Sequence, residues 1–489
     1  MIVKCVARNR DALKRIREYV LQDTLGCIRV VEACTLKEAI ATGKISCVNL
    51  TLSKDGRLVF KNTTSKSKKN RIDSILIKLR ALGANIVADD CFIYRKAVYG
   101  IHRESDTISL DRCMVTEGEI TIPQFVDWIN IERSSSNKPF ENGVSLRIID
   151  NSSITNLGSM FLNCEHLTNI EYIKDNNVSV HNMAKMFLNC ERLETVKLRV
   201  NTGKNTSTAY MFANCNCLRK IDLGEFDTSN VTEMHKMFSM CTKITELNLR
   251  NFNTLKVRSM NTMFAHCRNL KKLDLSNFYT PCLELMTGMF FKCSLMSELN
   301  IQNLDTHNVQ SMQGVFSGCS NLATIDIRSF DTLGVTDMDS MFSYCEKLKV
   351  LKTSSKFNTI NVVTMQEMFK ATGFESLDLR GFDTRNVENT NAMFKGAKEL
   401  RTIDISSFNT DKVKYSQAMF CNCVNLEELD MTNYSFKNVD DIREMFYNCP
   451  KLKVKNFPNI ELDNGVMSYA AFEKCTDFLL NKLKNRERT

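Results

Sequence analysis

Proline and glycine are scarce in this chain: 5 and 18 residues respectively out of 489. That is too little for many flexible linkers, although the length leaves room for about three average domains. No run of 18 apolar residues occurs, which excludes a membrane-spanning helix. The opening MIVKCVARNRDALKRIREYV places charges where a signal peptide needs its apolar centre, so classical secretion is not expected. No nucleophile elbow, P-loop or dinucleotide fingerprint is present. The six histidines (His102, His166, His181, His235, His266, His307) share no column. Catalysis, a cofactor and a metal site are therefore not expected. What is present is a hydrophobic fraction of 43% with 25% charged residues, the balance of a soluble protein with ample core. Twenty cysteines without a signal suggest reduced thiols and a cytosolic location.

Self-comparison is more informative. A Met-Phe pair stands at Met160-Phe161, Met186-Phe187, Met211-Phe212, Met237-Phe238, Met263-Phe264 and Met289-Phe290. It continues through Val315-Phe316, Met341-Phe342, Met368-Phe369, Met393-Phe394, Met419-Phe420 and Met445-Phe446 to Ala471-Phe472. These 13 occurrences step by 26 residues, with two steps of 25 and one of 27. Four residues after each Met comes a cysteine, replaced only at Thr372 and Ala397. Cys215/Cys217 and Cys421/Cys423 lack a second pair at finger-like spacing. A small buried thiol donating weakly to backbone carbonyls explains the column better.

One unit, Val335-Thr-Asp-Met338-Asp-Ser-Met341-Phe342-Ser-Tyr-Cys345, has the apolar spacing of a helix face. The next stretch, as in Leu273-Asp274-Leu275, alternates with period two and predicts a short strand. A Phe-(Asp/Asn)-Thr turn follows, its side chains suited to bonding neighbouring N–H groups. Each unit is thus expected to hold one strand, one turn and about two helical turns. No such unit buries its apolar face alone, so the copies must stack. The fold class expected is α/β: a right-handed leucine-rich-repeat solenoid of about 13 rungs with a parallel sheet, preceded by a small α/β domain.

The pattern Phe-Asp-Thr-x-x-Val-x-x-Met-x-x-Met-Phe-x-x-Cys-x-x-Leu-x-x-Leu-Asp-Leu resembles the BspA-like leucine-rich repeat family over about residues 144–475. The resemblance implies the solenoid fold and a protein-binding role, since members usually act as adhesion or recognition modules.

Residues 1–110 lack the repeat. Strands are expected at Ile2–Ala7, Ile28–Val31 and Val48–Leu52, the last closing a hairpin with Arg57–Phe60 around Asp55-Gly56. Helices are expected over Asp11–Leu21, from the capping box at Thr35, and over Asn70–Leu82. This order weakly resembles the first half of a response-regulator receiver. Ala7-Arg8-Asn9 and Thr51-Leu52-Ser53 stand where its acidic cluster and phosphorylated Asp would be, which implies a domain not phosphorylated in the usual way. Residues 1–100 carry 20 Lys+Arg against 9 Asp+Glu, a net of +11, so the remainder of the +9 chain sums to −2. Lys61, Lys66, Lys68, Lys69 and Arg71 form the densest basic run, an anion-binding candidate for nucleic acid. A bridge and cap at 111–143 lead into the solenoid at 144–480, and 481–489 form a basic tail.

The sheet's outward positions supply the partner-binding candidates: Arg250, Lys272, Asp274, Gln302, Asp326, Arg328, Asp378, Arg380 and Glu428. The expected function is a non-enzymatic, cytoplasmic scaffold that binds a protein through this polar face. The alternatives are an adhesin or host-directed effector, secreted or at the surface by a non-classical route, and a regulator whose basic N-terminal domain contacts nucleic acid.

Overall fold

The computed structural model describes residues 143–475 apart from 175–176, 225 and 459–465, and ten strands among the first 142 residues. They form two compact units. One is Met1–Val180 with Asn189–Asn201 and Asp222–Glu225; the other is His181–Leu188 with Thr202–Ile221 and Phe226–Thr489.

In the first unit, β1 (Ile2–Ala7) runs parallel to β2 (Arg29–Thr35) and to β3 (Val48–Leu52). The expected antiparallel pairing is present, with Leu50 of β3 opposite Phe60 of β4 (Leu58–Phe60), while Asp55-Gly56 lies outside the described residues. Next, β5 (Asn85–Ala88), β6 (Cys91–Tyr94), β7 (Ala97–His102) and β8 (Thr107–Cys113) make an antiparallel meander, and β9 (Glu117–Ile122) belongs to another sheet. The short β10 (Trp128–Ile129) pairs parallel with β8. The three expected helices lie outside the described residues.

β9 pairs in parallel with β11 (Val144–Asp150), followed by β12 (Leu167–Lys174) and β13 (Thr195–Arg199). The exposed positions of these strands alternate in charge: Arg147 pairs with Glu119 at 2.5 Å and Glu171 at 3.1 Å, and Glu171 with Lys197 at 2.6 Å. Beneath them lies a fully buried ion pair, Lys174 Nζ to Asp150 Oδ2 at 2.8 Å. Asp150 also accepts from the Tyr172 hydroxyl and from the Ser152 backbone N–H at 2.8 Å, and Lys174 donates to the Ser152 carbonyl at 2.9 Å. A buried charge pair is tolerated only when its remaining polar atoms are also bonded.

The second unit stacks coil on coil. Its short strands pair in register, as Lys272, Leu273 and Asp274 do with Glu298, Leu299 and Asn300. Leu273 is buried between exposed neighbours, so the period-two reading holds. The Phe column becomes a ladder of twelve rings from Phe187 to Phe472, with consecutive centroids 5.3–5.8 Å apart and most planes near parallel. A coil rise of about 4.8 Å gives the offset stacking that aromatic quadrupoles favour. The buried Met234, Met260, Met286, Met312 and Met338 line the same core.

The expected helical segments are absent from the described residues, and a different local structure replaces them. In the coil of Phe238, Met237, Ser239 and Cys241 each donate to the carbonyl three residues back. Met234, Lys236, Phe238 and Met240 instead donate to Ser259, Asn261, Met263 and Ala265 of the next coil at 2.8–2.9 Å. Consecutive tight turns therefore replace the helix and leave alternate N–H groups for inter-coil bonds. Each coil also holds two left-handed residues four apart, such as Lys236 and Met240 (φ 56° and 63°) or Ser340 and Tyr344 (56° and 57°). Left-handed backbone is incompatible with a right-handed helix. Three-residue turns repeat apolar positions at i and i+3, which is why the sequence mimics a helix face.

The turn threonines also act differently from expectation. Thr332 Oγ1 donates to the Asn358 carbonyl at 2.6 Å and accepts from the Asn358 N–H at 2.7 Å. Thr384 does the same to Asn409, both at 2.8 Å, and Thr410 to Ser435 at 3.0 and 2.7 Å. The hydroxyl thus staples one coil to the next. The neighbouring Asp or Asn does cap its own turn, as Asp227 Oδ1 accepts from Ser229 N–H at 2.8 Å.

Candidate protein-binding face

The cysteine column is structural. Cys241, Cys267, Cys293 and Cys319 are buried, and each thiol donates to the carbonyl of the Phe one coil earlier at 3.1–3.2 Å. Burial pushes the Cys267 and Cys319 thiols up to about 12, so they are neutral and unreactive at neutral pH. Thr372, in the same slot, donates to the carbonyl of Phe369 in its own coil at 2.9 Å. Among the described residues, no three His, Cys, Asp or Glu side chains are grouped to hold a metal ion.

Eight of the nine candidate binding residues lie on or just after the short strands of the second unit, and Arg250 follows Glu246, which forms an isolated parallel bridge to Lys272. The recurring strand Asp or Asn has a local task. Its Oδ1 accepts the N–H two residues on, at Asp274–Ser276 (3.1 Å), Asn248–Arg250 (3.3 Å), Asn300–Gln302 (3.4 Å) and Asp430–Thr432 (3.0 Å). This Asx turn ends the strand. The Ser276 hydroxyl and N–H hold the Asp274 carboxyl below its usual range.

Where arginine falls two residues after the Asp, the pair closes into a bidentate fork. Arg328 Nε and Nη2 meet Asp326 Oδ1 and Oδ2 at 2.9 and 2.7 Å. Arg380 meets Asp378 at 3.0 and 2.6 Å, and its Nε lies 3.5 Å from Asp404 of the next coil. The fork holds the Asp378 carboxyl at about 2 and pushes the Arg380 guanidinium up. Lys272 pairs with Glu298 at 2.6 Å, and Glu428 with Lys455 at 2.7 Å. The structure thus makes mutual partners of Asp326 with Arg328 and of Asp378 with Arg380, and pairs Lys272 and Glu428 with neighbours from adjoining coils; among the described residues, Asp274, Arg250 and Gln302, all exposed, take part in no such pair.

Sequence reasoning missed Asp383 and Arg385, whose fork (Nη2 to Oδ2, 2.7 Å) lies beside that of Arg380. Together with Phe382, Ser407 and Asn409 the two arginines line a shallow hollow of about 400 Å³. The signal was available: Asp378-Leu-Arg380 and Asp383-Thr-Arg385 repeat the Asp-x-Arg spacing of Asp326-Ile-Arg328. The basic run at Lys61, Lys66, Lys68, Lys69 and Arg71 lies outside the described residues.

A leucine-rich cell surface protein from Faecalibacterium prausnitzii is similar to this chain at 15% identity, covering 77% of it and 97% of its own length, with a TM-score of 0.37. A leucine-rich repeat protein from Eubacterium ventriosum is 14% identical, over 78% and 94%, with a TM-score of 0.32. An internalin from Listeria monocytogenes is 13% identical, over 74% and 90%, with a TM-score of 0.21. No curated protein matches the chain. The repeats themselves match one family in four overlapping stretches, residues 133–221, 206–298, 284–399 and 370–485. Running through every coil from Met160 to Phe472, those matches make the chain a member of the family described as Mycoplasma protein of unknown function, DUF285.

Proposed function

We propose that this protein is a non-enzymatic, BspA-like scaffold that binds another protein through the strand face of its second unit. The observation that carries this reading is the fork at each of Asp326/Arg328 and Asp378/Arg380. Both arginines keep about two-thirds of their side-chain surface exposed, at 64% and 67%, while their orientation is already set. Exposed pairs of this kind contribute little to stability. They do spare a partner the entropy of ordering long side chains, and they present a defined charge pattern. The test is a charge reversal, Arg328→Asp with Arg380→Asp, in the full chain. A partner cross-linked to the wild type is expected to be lost from the variant, while the melting temperature stays within a few degrees. Undiminished cross-linking would remove the strand face from the function.

A cytosolic location is part of the proposal. It is supported by the thiols of Cys241, Cys267, Cys293 and Cys319, each of which donates to a backbone carbonyl of the preceding coil. Cell fractionation with thiol labelling tests it, and recovery at the surface with oxidised cysteines would favour the adhesin reading. The parallel order β2–β1–β3 supports the receiver-like reading of the N-terminal sheet, without a phosphorylation site.

A further inference from the structure

The turns that follow the strands of the second unit form a ridge whose residues are held in line. Thr254, Thr280, Thr306 and Thr332 donate in succession to the carbonyls of Tyr279, Asp305, Asp331 and Asn358 in the next coil, at 2.6–2.9 Å. The residue after each of these threonines, and after Thr359 in the coil beyond, therefore falls in one column: Leu255, Pro281, His307, Leu333 and Ile360. The next three members are charged, Arg385, Asp411 and Lys437.

An exposed turn is normally polar, and this one is not. Among the described residues, four large apolar side chains are more than half exposed. Three of them stand here: Leu255 (51%), Leu333 (55%) and Tyr279 (56%), two residues before Pro281. Pro281 is exposed as well, and Ile360 is half-buried. Two other surface rings are screened by cations: Lys185 and Lys236 stand 5.8 and 5.1 Å from the Tyr210 centroid, and Lys370 stands 5.3 Å from that of Tyr344. Tyr279 has no such cover among the described residues; its hydroxyl accepts from Asn303 Nδ2 at 3.3 Å.

The order of the column selects the occupant. Outward from His307 it is apolar for two coils in both directions, Pro281 then Leu255 on one side, Leu333 then Ile360 on the other. A two-fold contact needs a patch that complements itself when reversed. A second copy turned end for end about His307 sets Leu255 against Ile360 and Pro281 against Leu333, with the same rise of about 4.8 Å per coil on both sides. Tyr279 then faces Asp331, and Cys282 faces Gly334. One coil further out, exposed Asp227 meets the coil of Arg385, whose guanidinium is paired with Asp383 alone. Opposite charges thus close both ends of the apolar stretch.

We propose that this ridge is the contact of a homodimer, in which two copies of the chain meet end for end about His307. Its five coils span about 19 Å. A single ridge of that length falls short of the ~800 Å² per partner of a standard interface, so the dimer is transient and dissociates on the order of 10–100 μM. Arg328 and Arg380 lie outside the ridge, so dimerisation and strand-face binding can fail separately.

Sedimentation equilibrium of the full chain, up to about 300 μM, is expected to show monomer and dimer in exchange. Leu255→Glu with Leu333→Glu should weaken the dimer at least about tenfold, as charges facing an apolar ridge require, and leave the melting temperature within a few degrees. Leu295→Glu, at an exposed leucine off the ridge, and the R328D/R380D variant should dimerise like the wild type. The register is read separately. At Gly334 an added Cβ meets nothing closer than 3.4 Å, so Gly334→Cys should be tolerated. Mild oxidation of that variant with copper phenanthroline should join position 334 of one copy to Cys282 of the other, as read by mass spectrometry, whereas Ser229→Cys should give no link to Cys282. Gly334→Cys decides the matter if the glutamate variant does not fold. A chain that stays monomeric at the highest concentration would overturn the proposal and leave the ridge to a different protein. Dimers that survive the two glutamates, or a Gly334→Cys protein without the 282–334 link, would overturn it as well.

Discussion

Replacing Thr332 with valine removes a hydroxyl and leaves shape and burial nearly unchanged. Thr332 is 1% exposed, and its hydroxyl satisfies both backbone groups of Asn358 in the next coil, at 2.6 and 2.7 Å. Each buried group orphaned by its loss costs about 1–3 kcal/mol. Solvent reaches Asn358 in part, so the low end of the summed range of about 2–6 kcal/mol applies, about 2–3 kcal/mol. Thr332→Ser keeps the oxygen and deletes one methyl, for about 0.8 kcal/mol. Guanidinium denaturation of both variants gives the comparison, with amide exchange at Asn358 as the local reading: faster in the valine variant and near wild type in the serine variant. If Thr332→Val falls within 0.5 kcal/mol of the wild type, below the cost of one orphaned group, or serine is as damaging as valine, the staple does not stabilise the stack.

Other outcomes follow from the same coordinates. Lys174→Met should destabilise the first unit by about 3–5 kcal/mol by leaving Asp150 buried and unpaired, and adding Asp150→Leu should restore part of the loss; equal unfolding midpoints for single and double variants would contradict this. The Asp378 carboxyl should titrate at about 2 in the folded protein, against ~3.9 when unfolded. Its small contribution is therefore full above ~3.9 and lost as pH falls through about 2, and a carboxyl NMR titration of Arg380→Gln should move the midpoint back up. With iodoacetamide at pH 8, exposed Cys282 should react in the native protein while Cys267 and Cys319 stay unlabelled until it unfolds.

The sequence exposed whatever recurs at fixed period. The Phe and Cys columns, the alternation around Leu273 and the turn at Phe-Asp-Thr all follow from burial repeated once per coil. The helix expectation failed because non-glycine residues occupy most of the left-handed positions, glycine taking only a few such as Gly288 and Gly318: Lys236, Met240, Tyr344 and Glu367 give no local warning, and each donates its N–H to the next coil. Thr332 could not be read as a staple because its partner lies 26 residues on. Asp150 and Lys174 look like ordinary strand-end residues, and only the pairing of β11 with β12 puts them face to face. The forks were legible in principle, since Asp-x-Arg is a local spacing. The sharing of the Tyr210 ring was not, because Lys185 and Lys236 sit 51 positions apart.

The ring ladder of the second unit keeps nearly the same spacing at every step from Phe187 to Phe472. Any coil therefore offers its successor the same seat, and whole multiples of 26 residues are interchangeable parts. A gene that gains or drops one period changes the molecular ruler by one graduation without a new core, whereas a loss of 13 residues would put phenylalanine against the wrong column and break the register of everything downstream.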